Sequence, residues 1–488
     1  MFKRTQDFLD RLTMYKLILI GLRILAAAAL VLSYFGVLSY ASTAILSGML
    51  AILLITCTAS NYLLGKLYRL PVHHESAIIT ALILFFVLAA PSKPYEWVGI
   101  VFAGIVAMAS KYIVIHRGAA IFNPAAFGVL AASLLGIGYG SWWIARPELF
   151  IPVFLVGLMI LAKLRRFELF GAFFFPALFL VMFSLVGSDT NISQAFVTAV
   201  TLYPLVFLGT VMLTEPGTMP ATRNKRLIYG GIVGLVLGSQ LDAGFFSASP
   251  HAALLIGNVF TLVASRRVST RMKFVGKIRM SPTTYDFAFE PDRKVAFIPG
   301  QYIELTLPGI KTDNRGQRRT FTVASSPDDK YLHFGIKFSE PGSWFKKKML
   351  ALTPGSEIVG NHVAGDFVLP GDSKIPVVFV AGGIGITPFI SMMRSLFSDS
   401  KTRDITLYYF AHDTDEIVYK DVLKKARAHG IKVVLQAGTR SELSDKDIRS
   451  HGDAYFYIAG PPGLVGAYKA RLSNLRVKRI IVDYFTGY

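Results

Sequence analysis

The chain has 488 residues, 53% of them hydrophobic, a mean hydropathy of +0.48 and a formal net charge of +20. That length allows about three domains, and its one cysteine, Cys57, excludes an internal disulfide and a four-cysteine iron–sulfur cluster. The basic excess comes with no nucleic-acid-binding motif, which excludes nucleic acid as a partner and points to the anionic surface of a lipid bilayer.

Residues 1–14 mix acids with bases and lack a small-residue cleavage site behind a short apolar stretch. They are expected to form a cytoplasmic N-terminus, not a removable signal peptide. From there to residue 265 apolar runs recur between short polar breaks, and a run of about 20 residues is what a helix needs to cross a hydrocarbon core of about 30 Å. About ten spans are expected, at roughly 15–38, 41–64, 76–90, 97–115, 122–137, 148–163, 169–187, 194–213, 227–241 and 250–265. The third, fifth and ninth are short enough to be re-entrant or broken helices. In this arrangement Lys66, Lys111, Lys163, Arg165, Arg166, Arg223, Lys225, Arg266 and Arg267 gather on one side, while Lys93 and Arg146 fall on the other. That bias predicts a multi-pass protein of the cell membrane with both termini in the cytoplasm.

Within this half, Pro124 and Pro216 interrupt apolar runs beside Asn123 and Thr214-Glu215. The interruption frees backbone groups that can hold a polar cofactor at membrane depth, which makes Asn123 and Thr214 candidate cofactor-binding residues. The histidines His73, His74, His116 and His251 lie at loops or span ends and offer no stacked pair for a haem iron. No metal site is expected. Phe122-Asn123-Pro124-Ala125-Ala126-Phe127-Gly128 and Met212-Leu213-Thr214-Glu215-Pro216 resemble the NqrB/RnfD family, the flavin-carrying membrane subunits of sodium-pumping NADH:quinone reductase and Rnf complexes. The resemblance covers roughly residues 15–265 and implies an electron carrier in the membrane domain. The Gly-Ala-Thr motif on which that family carries covalent FMN does not occur here. The expected carrier is therefore a noncovalent second flavin (FMN or riboflavin) or a quinone.

After Arg271 the period changes. Short alternating strands at Lys273–Met280, Thr284–Phe289 and Tyr302–Leu307, with turns at Pro299-Gly300 and Pro308-Gly309, predict an antiparallel β-barrel over residues 271–370. From 371 to 488 an apolar strand Val377–Ala381, a glycine turn, a helix, a strand Ile405–Phe410 and a further helix predict an α/β Rossmann-like domain with a parallel sheet.

Several residues in these domains suit a phosphorylated ligand. Arg319, in Arg319-Thr320-Phe321-Thr322-Val323-Ala324-Ser325, offers a planar guanidinium fork that matches phosphate oxygens. Pro341-Gly342-Ser343-Trp344-Phe345 precedes a helix opening with three lysines, where backbone amides and Ser343 can hold a second phosphate. The plainer alternative there is an ordinary capped helix. Gly382, Gly383 and Gly385 let the backbone approach a pyrophosphate, with Thr387 capping the next helix and Pro388 in its first turn. Gly460-Pro461-Pro462, after the strand Tyr455–Ala459, lies at the same sheet edge, where ligands bind in such folds.

Residues 271–488 resemble the ferredoxin–NADP reductase superfamily across both its FAD domain and its pyridine-nucleotide domain. The likeness rests on Ile298-Pro299-Gly300-Gln301-Tyr302, on Arg319-x-Phe321-Thr322-x-x-Ser325, on Gly365-Asp366-Phe367-Val368-Leu369-Pro370 and on the two glycine turns. It implies that Arg319 pairs with the FAD pyrophosphate, Phe321 packs on the flavin or its ribityl chain, Thr322 hydrogen-bonds near flavin N5 and Ser325 completes the set. It implies a second phosphate contact at Gly342, Ser343 and Trp344, and NAD(P)H at the glycine turns. Phe321 stands where the family more often has Tyr, and Ala459 where it usually has Cys. Asp483-Tyr484-Phe485-Thr486-Gly487-Tyr488 resembles the tail that covers the flavin, with Tyr484, Phe485 or Tyr488 as the ring displaced by nicotinamide. Thr439-Arg440 sits where NADPH-using relatives grip the 2′-phosphate, yet Asp413 and Asp415 would repel it, leaving NADH and NADPH both open.

The expected function is a membrane-bound NAD(P)H oxidoreductase. Electrons pass from NAD(P)H through FAD to a flavin or quinone in the membrane domain, because about 30 Å of apolar layer is too thick for one transfer. The expected final acceptor is a quinone, oxygen or an extracytoplasmic flavoprotein. The alternatives are a redox-driven Na+ or H+ transporter, or a reductase whose spans only anchor it.

Overall fold

The computed structural model describes residues 13–68, 74–116, 119–244, 247–264, 269–307, 317–338, 342–398, 403–438 and 443–485. The chain divides into two compact units, the first Met1–Arg267 and the second built from Val268–Asp313 and Gln317–Tyr488.

The first unit is helical: α1 Met14–Tyr34, α2 Thr43–Leu67, α3 His74–Val87, α4 Pro94–Ile113, α5 Pro124–Leu134, α6 Pro147–Leu164, α7 Phe167–Gly187, α8 Ile192–Thr201, α9 Leu205–Phe207 running into a π turn Leu208–Met212, α10 Arg223–Ser239 and α11 Pro250–Ala264. Thr13, Ser42, Asn123 and Asn191 start α1, α2, α5 and α8 by accepting the otherwise unpaired amides of Lys16, Ile45, Ala126 and Gln194.

Among the described residues five helices, α1, α2, α4, α6 and α7, are long and apolar enough to cross a membrane, and α8 with α9 and its π turn makes a sixth candidate bent by 50°. Ten full spans are not confirmed. The helices α3, α5 and α11 have 14, 11 and 15 residues, and 14 residues rise only about 21 Å against a layer of about 30 Å. Helix α10 has 17 residues and opens with Arg223, Lys225 and Arg226. It packs by close approach: a Cβ on Gly234 would lie 2.3 Å from the Phe173 carbonyl oxygen, and one on Gly230 2.9 Å from that of Leu169. Small residues at such spacing let two helix backbones touch.

The second unit contains β1 Thr270–Arg279, β2 Thr284–Pro291, β3 Tyr302–Thr306, β4 Arg318–Thr322, β5 Leu332–Lys337, α12 Trp344–Leu350 and β6 Glu357–Ala364, followed by β7 Val377–Gly382, α13 Thr387–Ser398, β8 Ile405–Ala411, α14 Lys420–Ala428, β9 Lys432–Ala437, α15 Asp445–Ser450, β10 Tyr455–Gly460, α16 Pro462–Asn474 and β11 Ile480–Tyr484. The first six strands form one antiparallel sheet in the order β4-β3-β6-β1-β2-β5. Instead of a barrel closed by strand pairing, the end strands β4 and β5 meet just past β4, where the Ala324 amide donates to the His333 carbonyl at 2.8 Å. Phe274, Phe287, Phe289, Ile303, Leu305, Phe334 and Ile336 fill its core with Phe345 and Met349 of α12.

The remaining strands form a parallel sheet in the order β9-β8-β7-β10-β11. The chain runs outward from β7 to β9, then returns to the other side of β7, so the strand order reverses between β7 and β10. Such a reversal opens a crevice at the carboxyl ends of the two strands.

The polar residues of the first unit supply a stability test. Asn258 is fully buried, its Oδ1 accepting from the Asn123 amide at 2.8 Å and its Nδ2 donating to the Thr218 carbonyl and the Tyr229 hydroxyl at 3.3 Å each. Asn258→Ala strands buried groups and is expected to cost about 1–3 kcal/mol, read as a lower Tm of the helical unit in detergent. An unchanged Tm contradicts this.

Candidate functional site

The crevice between β7 and β10 is built by backbone meeting backbone. Ala381 pairs with Ala459 across the two strands. A Cβ on Gly385 would lie 2.4 Å from the Ala459 carbonyl oxygen and 2.6 Å from Gly460 Cα, and one on Gly382 2.7 Å from Leu464. Gly383 has φ +53° and open space where a side chain would stand, the kind of cradle a phosphate group can enter.

Thr387 does not cap a helix as the sequence predicts. A 3₁₀ turn, Gly383–Ile386, runs directly into α13, so the helical amides start at Gly383. The Thr387 hydroxyl donates back to the Ile384 carbonyl at 3.1 Å, and Pro388 lies in the first turn of α13. Pro461 precedes α16 and Pro462 opens it. Two helical N-termini therefore flank one crevice, and their aligned dipoles favour an anion there.

The Arg319 strand lies in the antiparallel sheet, with Arg319 opposite Leu305 and Phe321 opposite Ile303. Arg319, 6% exposed, sets its guanidinium 5.4 Å over the Phe345 ring, and Phe321 packs on the same ring at 5.8 Å. Phe345 follows Gly342, Ser343 and Trp344, so the strand and that turn come together as the resemblance implies. Ser343 caps α12 by accepting from the Lys346 amide at 3.3 Å. This hydrogen bond is what the capped-helix alternative expects. Thr322 is buried, two residues before Ala324. The Pro299-Gly300-Gln301 turn braces the strand: Gln301 accepts from the Ile298 amide through Oε1 and from the Val323 amide through its carbonyl.

Ser325 acts mainly as a joint. Its hydroxyl accepts from the His333 amide at 3.3 Å and its carbonyl from the Ser391 hydroxyl of α13 at 2.7 Å. Arg394 of α13 donates to the Ala324 carbonyl at 3.0 Å. Glu416 accepts from Thr283 and Lys337 at 2.9 Å. Burial raises the Glu416 carboxyl, but the Lys337 and Thr283 hydrogen bonds outweigh it and hold the group below the usual carboxylate range. Tyr419 donates to Asp286 Oδ1 at 3.3 Å, and Asp286 Oδ2 meets His333 Nδ1 at 2.8 Å. Tyr419 holds φ +57°, a left-handed backbone that costs a side-chain-bearing residue on the order of 1–3 kcal/mol. No motif in the sequence singles out Asp286, His333 or Tyr419; Asp286 and Tyr419 lie 133 residues apart.

Of the tail residues, Phe485 packs on the face of the parallel sheet that carries Ala459, in the same apolar cluster as Ala324 of the antiparallel-sheet domain. Tyr484 packs on the opposite face, on the cluster that includes Ile458 and Val465. Alternation along β11 separates them, so the structure places Phe485, and not Tyr484, on the side of the Arg319 strand. Tyr488 and Arg440 lie outside the described residues.

In the helical unit the structure does bring Asn123 and the Thr214-Glu215 segment together. Asn123 Nδ2 donates to Glu215 Oε2 at 2.7 Å, its amide donates to Asn258, and its Oδ1 caps α5. The Thr214 hydroxyl donates to the Thr210 carbonyl at 2.6 Å. These hydrogen bonds tie the two segments together as a buried knot. Asn258 and Tyr229, which complete it, were missed because each stands alone in an apolar run.

Residues 379–470 match the oxidoreductase NAD-binding domain family. The chain is 26% identical over 244 residues to a flavohemoprotein of Bacillus cereus, covering 43% of this chain and 58% of that protein. It is 33% identical over 128 residues to methane monooxygenase component C of Methylosinus trichosporium, covering 26% and 36%. Among solved structures it resembles the flavohem-like FAD/NAD-binding domain of nitric oxide dioxygenase from Vibrio cholerae, with TM-score 0.39, 20% identity, and 44% of this chain and 98% of that one covered. The chain thus spans little more than half of the flavohemoprotein. The family match and the two relatives support an NAD(P)H-dependent flavin oxidoreductase that binds FAD and NAD(P)H.

Gly385→Ala drives a methyl group into the Ala459 carbonyl and is expected to slow NAD(P)H oxidation about 100-fold while leaving FAD content, read from absorbance, unchanged. Full activity would show that the close approach is dispensable. Glu304 gives a pH test. Burial pushes its carboxyl up, with Arg318 at 3.6 Å only partly offsetting it. The folded state then holds this proton more tightly than the unfolded chain, so ionised Glu304 costs stability as pH rises from the ordinary carboxylate range through its raised value. Glu304→Gln should therefore raise Tm more at pH 8 than at pH 4, and an equal shift at both would refute the assignment.

Proposed function

We propose that this protein is a membrane-bound NAD(P)H oxidoreductase. Its second unit takes reducing equivalents from NAD(P)H through FAD, and a carrier in its helical unit passes them to a membrane or extracytoplasmic acceptor. The observation that carries the reading is the meeting of the two glycine turns at the β7/β10 crevice, joined through Ser391 and Arg394 to the strand that bears Arg319 and Thr322.

The residues present suit both groups. Arg319, buried beside Phe345, would hold the FAD pyrophosphate, Phe321 would pack against the cofactor, and Thr322 would present a hydroxyl near the reacting edge. Gly383 and the amides following it would receive the dinucleotide phosphates. FAD, when bound, supplies a centre that accepts electrons in pairs and releases them singly. Phe485 would cover that centre and exclude water until nicotinamide replaces it.

For the helical unit, five long apolar helices and a bent sixth candidate support insertion in a bilayer, and the basic loops support a cytoplasmic position for the second unit. The carrier there is a noncovalent flavin or a quinone, with Asn123 and Thr214 beside the helix breaks as its candidate holders. The acceptor is a small molecule such as quinone or oxygen, or an extracytoplasmic flavoprotein. Flavohemoproteins and methane monooxygenase component C are named for redox systems, which supports an onward acceptor without naming it.

The test uses full-length protein in detergent and in liposomes. FAD should be released on denaturation, NADH or NADPH should bleach the visible spectrum, and an enclosed redox dye should be reduced from outside. Protein without flavin, or a spectrum indifferent to both nucleotides, overturns the reading. Dye that stays oxidised beside rapid quinone reduction confines the path to the membrane, and an accompanying sodium or proton flux marks ion coupling.

A further inference from the structure

We propose that Tyr419, Asp286 and His333 are positioning residues for nicotinamide oxidation, members of a ring of contacts that fixes the glycine turn after β7 against the strand bearing Thr322. The inference rests on the function proposed above and assigns the device that sets the approach of its two cofactor-binding domains.

The ring closes on itself. The Tyr419 hydroxyl donates to Asp286 Oδ1 at 3.3 Å, Asp286 Oδ2 meets His333 Nδ1 at 2.8 Å, and the His333 carbonyl accepts from the Ala324 amide at 2.8 Å. The Ala324 carbonyl in turn accepts from Arg394 Nη1 at 3.0 Å, and the Arg394 guanidinium lies 5.7 Å over the Tyr419 ring. Asp286, His333 and Ala324 belong to the antiparallel-sheet domain, and Arg394 and Tyr419 to the parallel-sheet domain. The ring therefore crosses the seam twice, and it passes within two residues of Thr322.

Packing at the same point leaves little slack. Gly335 pairs with Asp286 across β5 and β2. A Cβ there would lie 2.6 Å from the Tyr419 hydroxyl, 2.8 Å from Thr387 Cγ2 and 3.2 Å from Ile384 Cδ1. The strand thus rests directly on the turn that forms the nucleotide crevice. Tyr419 reaches Asp286 from a left-handed backbone, φ +57°, and strain of that kind persists only where the surroundings over-determine it. Burial, and then the nearby Asp286 carboxylate, raise the Tyr419 phenol well above its ordinary value, so the hydroxyl keeps the proton it donates. Small displacements matter here, since a misplacement of about 1 Å between reacting atoms can cost about 100-fold in rate.

The test compares Tyr419→Phe, which removes only the hydroxyl, with Asp286→Asn, which keeps an acceptor toward Tyr419. The control is Tyr457→Phe, which removes a seam hydrogen bond outside the ring, to the Val368 carbonyl at 2.6 Å. In stopped-flow, Tyr419→Phe should slow flavin reduction by NAD(P)H about tenfold with KM changed less than about twofold and FAD content unchanged. Asp286→Asn should fall between it and wild type, and Tyr457→Phe should match wild type. Hydrogen–deuterium exchange should rise in Tyr419→Phe at residues 333–337 and 384–394. An unchanged rate, an unchanged exchange pattern, or an equal loss in Tyr457→Phe overturns the proposal. If wild-type protein is not reduced by either nucleotide, the function itself fails, and the exchange measurement then decides the ring alone: no change at these segments overturns it.

Discussion

The organisation of the second unit depends on how near two backbones come at the carboxyl ends of β7 and β10. Gly385 touches the Ala459 carbonyl, and Gly382 leaves room for the start of α16. A side chain at either position would push the two turns apart and splay the helical N-termini that flank the crevice. Their dipoles would then no longer add at one point. The reversed strand order brings β7 and β10 side by side, the glycines turn that adjacency into an edge shared by two helix N-termini, and α13 carries the edge to Ser325 and Ala324.

The first unit solves a different problem with the same economy. A polar group surrounded by apolar helices must find its partners inside the protein. Asn123, Glu215, Thr218, Tyr229 and Asn258 do so collectively, stitching the start of α5 and the middles of α10 and α11 to the segment after the π turn. An apolar run can also form a helix too short for a full crossing, as α5 and α11 do with 11 and 15 residues. That is why a count of apolar runs overstates the spans: such a run records low polarity, and a buried half-helix has as little polarity as a full crossing.

The glycine turns, the Arg319 strand and the alternation of strand and helix after residue 371 were legible because each is a local pattern with a local physical cause. Less legible was anything decided by parity or by distance in the chain. Thr387 looks like a cap until the 3₁₀ turn is seen to start the helix four residues earlier. Tyr484 and Phe485 are neighbours in sequence, but β11 sends them to opposite faces. Asp286, His333 and Tyr419 meet only through sheet register and domain packing, and a strand reading shows nothing of either. Ser343 was readable both ways, and its hydroxyl serves the helix it precedes.

Two substitutions relative to the resembling family bear on how this site keeps its geometry. Phe321 brings a ring but no hydroxyl, and it is held by Phe345. Ala459 offers only a methyl group, fully buried at the floor of the crevice. Each change removes a polar contact that could have tied a cofactor directly to its strand. With fewer such ties, more of the alignment must come from the protein framework. The framework contacts are numerous where alignment is decided: Ser391 and Arg394 on the Ser325 segment, Tyr419 on Asp286, and Gly335 under the nucleotide turn. Rigid placement of two domains can stand in for direct polar contacts only while the seam stays closed, so the left-handed backbone of Tyr419 is understandable as strain tolerated for that closure.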